Sequence, residues 1–332
     1  MKNRLLLSFI LMITIKSVVA QSGPSVVVSI KPIHSIVTAL MSGIAEPQLL
    51  LKSSNSAHTF HLKPSQVRML ANADLVIIIS EDFESGLRKA IKNIENESLF
   101  QITDINNLSI HKSRSENIHL EENEEHEEHE EHEEHEEHEE HEEHEEHEEH
   151  EEHEEHEEHE ESIYDLHLWL DISNIKLIAN HINKLLIKID PINEAKYNNN
   201  FLELTLDLEE LKLDLEKEIE PFLTKQFSVF ADTLQYLEKS MGLKRPIIIT
   251  PYHGARLSIN RTLEVKNMIN DLNVSCLLYG QEVKLNQVSV LTEGLNLKTF
   301  EIDILGSDYP AGPDQYFNLM KSISSKLASC LK

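Results

Sequence analysis

Val26-Val27-Val28-Ser29-Ile30, followed at once by Lys31-Pro32, is the stretch that decides the class of fold. Four β-branched apolar residues in five, with no alternation, make a strand buried on both faces. Such strands belong to parallel sheets covered by helices. The pattern continues outward. His34 to Met41 has helical period, and Ser42-Gly43 stops it. Leu49-Leu50-Leu51 reads as a second short strand. Pro64 stands where the first turn of a helix accepts proline, with Val67, Leu70 and Ala71 at helical spacing behind it. Asp74-Leu75-Val76-Ile77-Ile78-Ile79 is a third buried strand, and Phe83 to Ile94 a further helix. Alternating strand and helix predicts an α/β fold.

Regular patterning resumes at Leu166. Ile172 to Ile189 reads as a helix stopped by Pro191, and Asn193 to Ile219 as one long helix limited by Pro221. Its Leu/Glu/Lys content, without glycine, supports helix despite mixed leucine spacing. The series Leu202, Leu204, Leu206, Leu208, Leu211, Leu213 and Leu215 is expected to pack this helix against both lobes. A second strand–helix series follows, from Phe227 to a last helix at Gln315 to Leu331. The expectation is two α/β lobes with parallel sheets covered by helices, joined by one long helix, with the ligand cleft between lobes. In residue ranges this reads as a signal peptide at 1–20 and an N-terminal lobe at 21–190 containing a disordered Glu/His loop at 121–161. A linking helix at 191–224 and a C-terminal lobe at 225–332 complete the chain.

Charge is local. The 332 residues carry a formal net charge of −29. Residues 124–161 are purely Glu and His, and outside them 33 acids face 30 bases. No basic surplus exists to neutralise phosphates, which argues against a nucleic-acid partner. An apolar content of 40% supports a sizeable core and excludes collagen, wholesale disorder and a disulfide-dense miniprotein.

Lys2 and Arg4, the apolar run Leu5 to Ile15 and the small-residue end Val18-Val19-Ala20 read as a secretory signal cleaved before Gln21, although Lys16 is an awkward charge behind the run. The run is too short to span a bilayer. Neither cysteine, Cys276 nor Cys330, lies near the cleavage point to carry a lipid, so no membrane anchor is expected. An exported protein follows, periplasmic in a bacterium with two membranes. In that oxidising compartment the two cysteines either bridge or stand as separate buried thiols. A bridge would close a loop of about 55 residues, worth about 4 kcal/mol in the chain-entropy model.

Histidine is the conspicuous chemistry. Within the Glu/His tract 12 imidazoles recur at every third position, His126, His129, His132 and onward to His153, His156 and His159. Imidazole and carboxylate both bind borderline divalent ions. Successive histidines fall about 60° apart around an ideal helix, so no fixed face forms, and the charge predicts disorder without metal. The alternative is a functionless repeat expansion. His58 and His61 lie in Ser56-Ala57-His58-Thr59-Phe60-His61-Leu62-Lys63-Pro64-Ser65, just before a helix and beyond a strand's carboxyl end, where α/β folds bind ligands. Asp165-Leu166-His167-Leu168-Trp169-Leu170-Asp171 places the only Trp two residues after a His. Taken singly, each His reads as a satisfied polar residue. His34 suits a polar role at a helix start, and His181 reads as helix surface or core filler.

Taken together, these stretches resemble the periplasmic zinc-binding proteins of ATP-driven importers, the ZnuA-like members of the cluster A-I receptors. The resemblance rests on Ser29-Ile30-Lys31-Pro32, the His58 and Leu62-Lys63-Pro64-Ser65 segment, and Ala71-Asn72-Ala73-Asp74-Leu75. It also rests on His167-Leu168-Trp169-Leu170-Asp171 after a His-rich loop, Phe230-Ala231-Asp232 leading into Tyr236-Leu237-Glu238, and Ala328-Ser329-Cys330. It implies a Zn2+ site in the cleft with His58, His167 and Asp303 as ligands, a Cys276–Cys330 disulfide, and delivery to the membrane permease of an ABC importer. It implies a monomeric receptor and no enzyme. Two positions depart from the family pattern: Ala231 stands where the family has its third His, and Gly280 where related receptors have an acid. Ile304 also replaces the usual Pro after Asp303. A water, His61, His253, Glu282 or a tract His is the candidate replacement ligand.

The rival readings are a manganese or iron receptor of the same architecture, a metallohydrolase, and a zinc buffer acting through the tract with a decayed cleft. The absence of a local H-E-x-x-H pair in the folded part weighs against the hydrolase.

Overall fold

The computed structural model describes residues 23–51, 62–92, 94–95, 97–114, 163–250 and 257–332. The expected signal peptide, His58, His61, His253 and the whole Glu/His tract lie outside the described residues. Two compact units divide the chain, the first formed by 1–109, 168–221 and 303–329, the second by 110–167, 222–302 and 330–332.

In the first unit β1 (Val26–Val28), wholly buried as its unbroken apolar run requires, leads into α1 (Lys31–Leu40), whose second residue is Pro32. β2 (Gln48–Leu49), α2 (Pro64–Ala71), β3 (Leu75–Ile78), α3 (Arg88–Ile91) and β4 (Leu99–Gln101) follow. All four strands are parallel in the order β2-β1-β3-β4, with Val27 beside both Gln48 and Val76. The helix expected from Phe83 to Ile94 is reduced to a 3-10 turn at Ser85–Leu87 and the short α3. Gly86 lowers helix propensity there. The carboxylate of Glu84 also turns back to accept from the amides of Ile79 (3.1 Å) and Ser80 (3.0 Å), which holds the segment in a turn.

Glu84 is completely buried at the carboxyl ends of β1 and β3, where it also accepts from the Ser29 hydroxyl. Burial pushes its carboxyl up to about 7, against the opposing hydrogen bonds. An acid raised from its unfolded value contributes most stability below that value and loses it as pH rises through the folded pKa. From about pH 4.5 to pH 7 this amounts to about 3 kcal/mol. The difference in urea-unfolding free energy between the protein and its Glu84→Gln variant should move by that order over this window; a difference independent of pH contradicts the assignment.

The chain next forms β5 (His111–Lys112), which pairs antiparallel with β6 (Tyr164–Asp165). Ser113 donates to the Ile163 carbonyl at 2.9 Å beside it. α4 (Ile172–Ile189) spans the expected residues, N-capped by Asp171, which accepts from the Ser173 amide at 2.7 Å. α5 (Glu194–Ile219) is the expected long helix of 26 residues and packs on α1 and α4. Only part of its leucine series packs. Leu204, Leu208, Leu211 and Leu215, spaced four, three and four, are buried, whereas Leu202, Leu206 and Leu213 are at least 60% exposed. Period 3.6 leaves those three on the opposite side of the helix.

The second unit then contributes β7 (Ser228–Ala231), α6 (Gln235–Met241), β8 (Ile247–Thr250), α7 (Ile259–Asp271), β9 (Cys276–Gly280), α8 (Leu285–Thr292) and β10 (Lys298–Ile302); α9 (Gln315–Leu331) ends the chain. The strands are parallel in the order β10-β9-β7-β8 over a core including Phe230, Ile249, Val265, Leu277 and Leu291. Cys276 of β9 and Cys330 in the last turn of α9 form a disulfide with a Cα–Cα distance of 5.4 Å. No helix among the described residues is long and apolar enough to cross a membrane.

Candidate metal centre

Asp303 follows the last residue of β10, and its carboxylate is wrapped by the loop it begins. Oδ1 accepts from the amides of Leu305 and Gly306, each at 2.9 Å. Oδ2 accepts from Ser307 and, at 3.4 Å, from Asp308. The positive φ of Gly306 (66°) makes this tight wrap possible. The carbonyls of the same loop are held from outside. Trp169 Nε1 donates to Ile304 at 2.8 Å, Gln315 to Leu305 at 2.8 Å, and Lys31 Nζ to Ser307 (2.8 Å) and Tyr309 (3.0 Å). The sequence motifs around Lys31 and Trp169 therefore have a common task, which is to fix the Asp303 loop. A carboxylate offers about four acceptor directions. Oδ1 is filled by two amides, and the long Asp308 contact leaves Oδ2 as the oxygen with capacity for a cation.

His167 is held just as closely. Its ring Nδ1 lies 2.7 Å from Asp165 Oδ1, and its backbone amide donates to the same oxygen at 3.0 Å. A carboxylate at Nδ1 requires the proton there, so Nε2 is the lone-pair nitrogen. Metal-ligating histidines are oriented in this way. Asp165 is itself anchored. Its carbonyl accepts from the Tyr236 hydroxyl at 2.6 Å, and Gln235, with its amide turned to face acceptors, donates to Oδ2 and to the Lys112 carbonyl at 3.2 Å. Burial pushes the Asp165 carboxyl up, but His167 and Arg114 outweigh it and hold it below the usual carboxylate range. Both anchoring residues open α6, just past the end of β7, so His167 hangs from the carboxyl end of the second sheet.

A buried ion cluster braces the same end. Arg114 Nε donates to Asp232 Oδ2 at 2.7 Å and Nη1 to Glu238 Oε2 at 2.7 Å, with all three side chains at most 10% exposed. Asp232 directly follows Ala231. Burial raises the Glu238 carboxyl, with the Arg114 guanidinium opposing it.

Ala231 is the last residue of β7 and Gly280 the last of β9. The pairing of β7 with β9 covers Ser228 with Leu277 and Val229 with Leu278, so Ala231 and Gly280 lie beyond the paired residues. His34 is engaged within the first unit, its Nε2 against the Pro47 carbonyl at 3.0 Å and Nδ1 near Thr38, and burial lowers its pKa. His181 bonds the Leu177 carbonyl at 3.0 Å. Among the described residues no three His, Cys, Asp or Glu side chains form a group that could hold a metal ion. His58, the remaining residue of the expected ligand set, and His61, an expected accessory ligand, fall outside them. The roles of Asp165, Arg114 and Lys31 were missed from sequence. Asp165 two residues before His167 was the one available signal.

Each of the two units carries a four-stranded parallel sheet, with Asp303 following β10 and His167 anchored past the end of β7. Residues 26–330 match the ZnuA family, described as zinc-uptake complex component A, periplasmic, and the chain belongs to that family. The high-affinity zinc uptake system protein ZnuA of Brucella abortus (strain 2308) is 36% identical over 316 residues, covering 95% of this chain and 94% of that protein. The fold is shared with a crystal structure of a ZnuA deletion mutant with zinc bound, at a TM-score of 0.69 and 18% identity over 93% of this chain and 98% of the other. It is shared too with a manganese-bound periplasmic metal binding protein from candidatus Liberibacter asiaticus, at a TM-score of 0.69 and 17% identity over 93% and 100%.

Proposed function

We propose that this protein captures Zn2+ in the periplasm and delivers it to the membrane permease of an ABC zinc importer, acting as a soluble, unanchored and monomeric receptor that catalyses no reaction. Membership of the ZnuA family over residues 26–330 carries this reading. The ion is cargo, and we assign His58, His167 and Asp303 as its ligands. The Asp165–His167 pair supports the assignment, because a carboxylate on Nδ1 presents Nε2 as a neutral nitrogen donor. The amide-wrapped Asp303 adds an oxygen donor whose position costs no reorganisation on binding. His61 and the tract histidines serve as accessory metal ligands.

Equilibrium dialysis of the whole chain and of a variant lacking residues 124–161 tests the proposal. The shortened protein should retain one Zn2+ at micromolar concentration. Loss of all zinc with the circular dichroism spectrum unchanged would leave the tract as the only binder and replace the receptor with a buffer.

A further inference from the structure

Glu84 is an acid with no exposed surface, and three donors converge on it. Oε1 accepts from the Ser29 hydroxyl and from the Ile79 amide at 3.1 Å, and Oε2 from the Ser80 amide at 3.0 Å. The carboxylate thus clasps the residues that follow β1 and β3. Two lines of contact run from this clasp to the Asp303 loop, all within the first unit. Ser29 stands two residues before Lys31, whose ammonium donates to the carbonyls of Ser307 (2.8 Å) and Tyr309 (3.0 Å). Phe83, beside Glu84 in the chain, packs edge-on against Trp169 with ring centroids 5.4 Å apart, and that indole donates to the Ile304 carbonyl at 2.8 Å. Two props of the loop therefore start from one buried carboxylate.

We propose that Glu84 is a positioning residue for the Asp303 loop: its ionised carboxylate sets both props, and uptake of a proton slackens them. For its effect on metal binding the inference rests on the receptor reading above. Two of the three partners are amides, which only donate. A protonated acid is itself a donor and accepts less on the oxygen that carries the proton. The Ser29 hydroxyl is the one partner of the three able to reverse and accept. Its own hydrogen then needs a new acceptor, two residues before Lys31. None of the three partners titrates. On its own segment Asp82 pairs with Arg88 at the surface, 61% and 45% exposed, and Glu81 is partly buried. Lys31 of α1 is taken up by the Asp303 loop. Burial moves the exchange of the Glu84 proton up to about 7, against the hydrogen bonds from Ser29, Ile79 and Ser80.

The test reads the emission of Trp169, the only tryptophan, in the full-length metal-free chain, and then in a Zn2+ titration against a competing chelator. Glu84→Gln keeps the shape and, like the protonated acid, presents a donor at every pH. The difference in emission between the parent and Glu84→Gln should grow as pH rises, with a midpoint of about 7. Ser29→Ala keeps the acid but deletes a bond to its ionised form, so it should move that midpoint upward. Zinc affinity should follow. Glu84→Gln should bind roughly tenfold more weakly than the parent at about pH 8, the lower end of the losses caused by removing a ligand's supporting partner, and within about twofold of it at about pH 6. Histidine protonation weakens both proteins alike, so the ratio cancels it. An emission difference that does not vary with pH, or an affinity ratio constant across that range, overturns the proposal. Asp303→Ala binding zinc as the parent does would instead remove Asp303 from the ligand set, and the metal-free emission would still decide whether Glu84 sets the loop.

Discussion

Replacing His167 with alanine is expected to weaken Zn2+ binding by roughly 100-fold or more, the largest functional effect of any single substitution outside the undescribed segments. Loss of an outer-sphere partner alone costs about 10- to 100-fold, and an inner ligand contributes more. Asp165→Asn should fall within that lower range. The amide can still contact Nδ1 but carries no charge and can present a donor, so the ring is no longer fixed with Nε2 as the lone-pair nitrogen. Competition with a chelator of known affinity measures both. An unchanged affinity in His167→Ala, with the fold intact, would remove His167 from the ligand set.

Arg114→Met should give the largest loss of stability. The guanidinium is sandwiched between Asp232 and Glu238, and all three are nearly buried. Removing one partner from such a cluster leaves uncompensated buried charge and costs about 3–5 kcal/mol. The sign of the pH dependence follows. Burial already raises the Glu238 carboxyl with Arg114 present. Without the cation it rises further, so the folded variant holds its proton more tightly than the unfolded chain and recovers stability as pH falls. Urea unfolding near pH 7 and near pH 5 checks this. A loss below about 1 kcal/mol at neutral pH, the range of an exposed pair, would contradict the buried-cluster account.

Much of the architecture was legible because long periodic or unbroken apolar runs leave few alternatives. The strand at Val26, the helix Ile172 to Ile189 and the final helix from Gln315 follow directly from such runs. Elements of two or three residues carry too little pattern. β4, β5 and β6 went unread, and they are formed by pairing with strands distant in sequence. The interleaving of the two units, in which 110–167 joins the second and 303–329 the first, likewise leaves no local mark. Leucine content alone overstated the packing of α5, since Leu202, Leu206 and Leu213 face outward.

The candidate ligands came from a different signal. His167 and Asp303 stood out through resemblance to a family, not through their spacing. Lys31 reaches the Asp303 loop only because residues some 276 positions apart meet in the fold. Such partners are products of topology, and composition does not carry them.

A crystal structure of the zinc-loaded protein, with anomalous data collected at the zinc edge, tests the central claim most directly. The expected result is one strong peak bonded by imidazole nitrogens of His58 and His167 at about 2.0–2.1 Å and by an oxygen of Asp303 at about 2.0–2.2 Å. A fully loaded protein in which the rings of His58 and His167 lie too far apart to share an ion, with zinc only on the Glu/His tract, would contradict it.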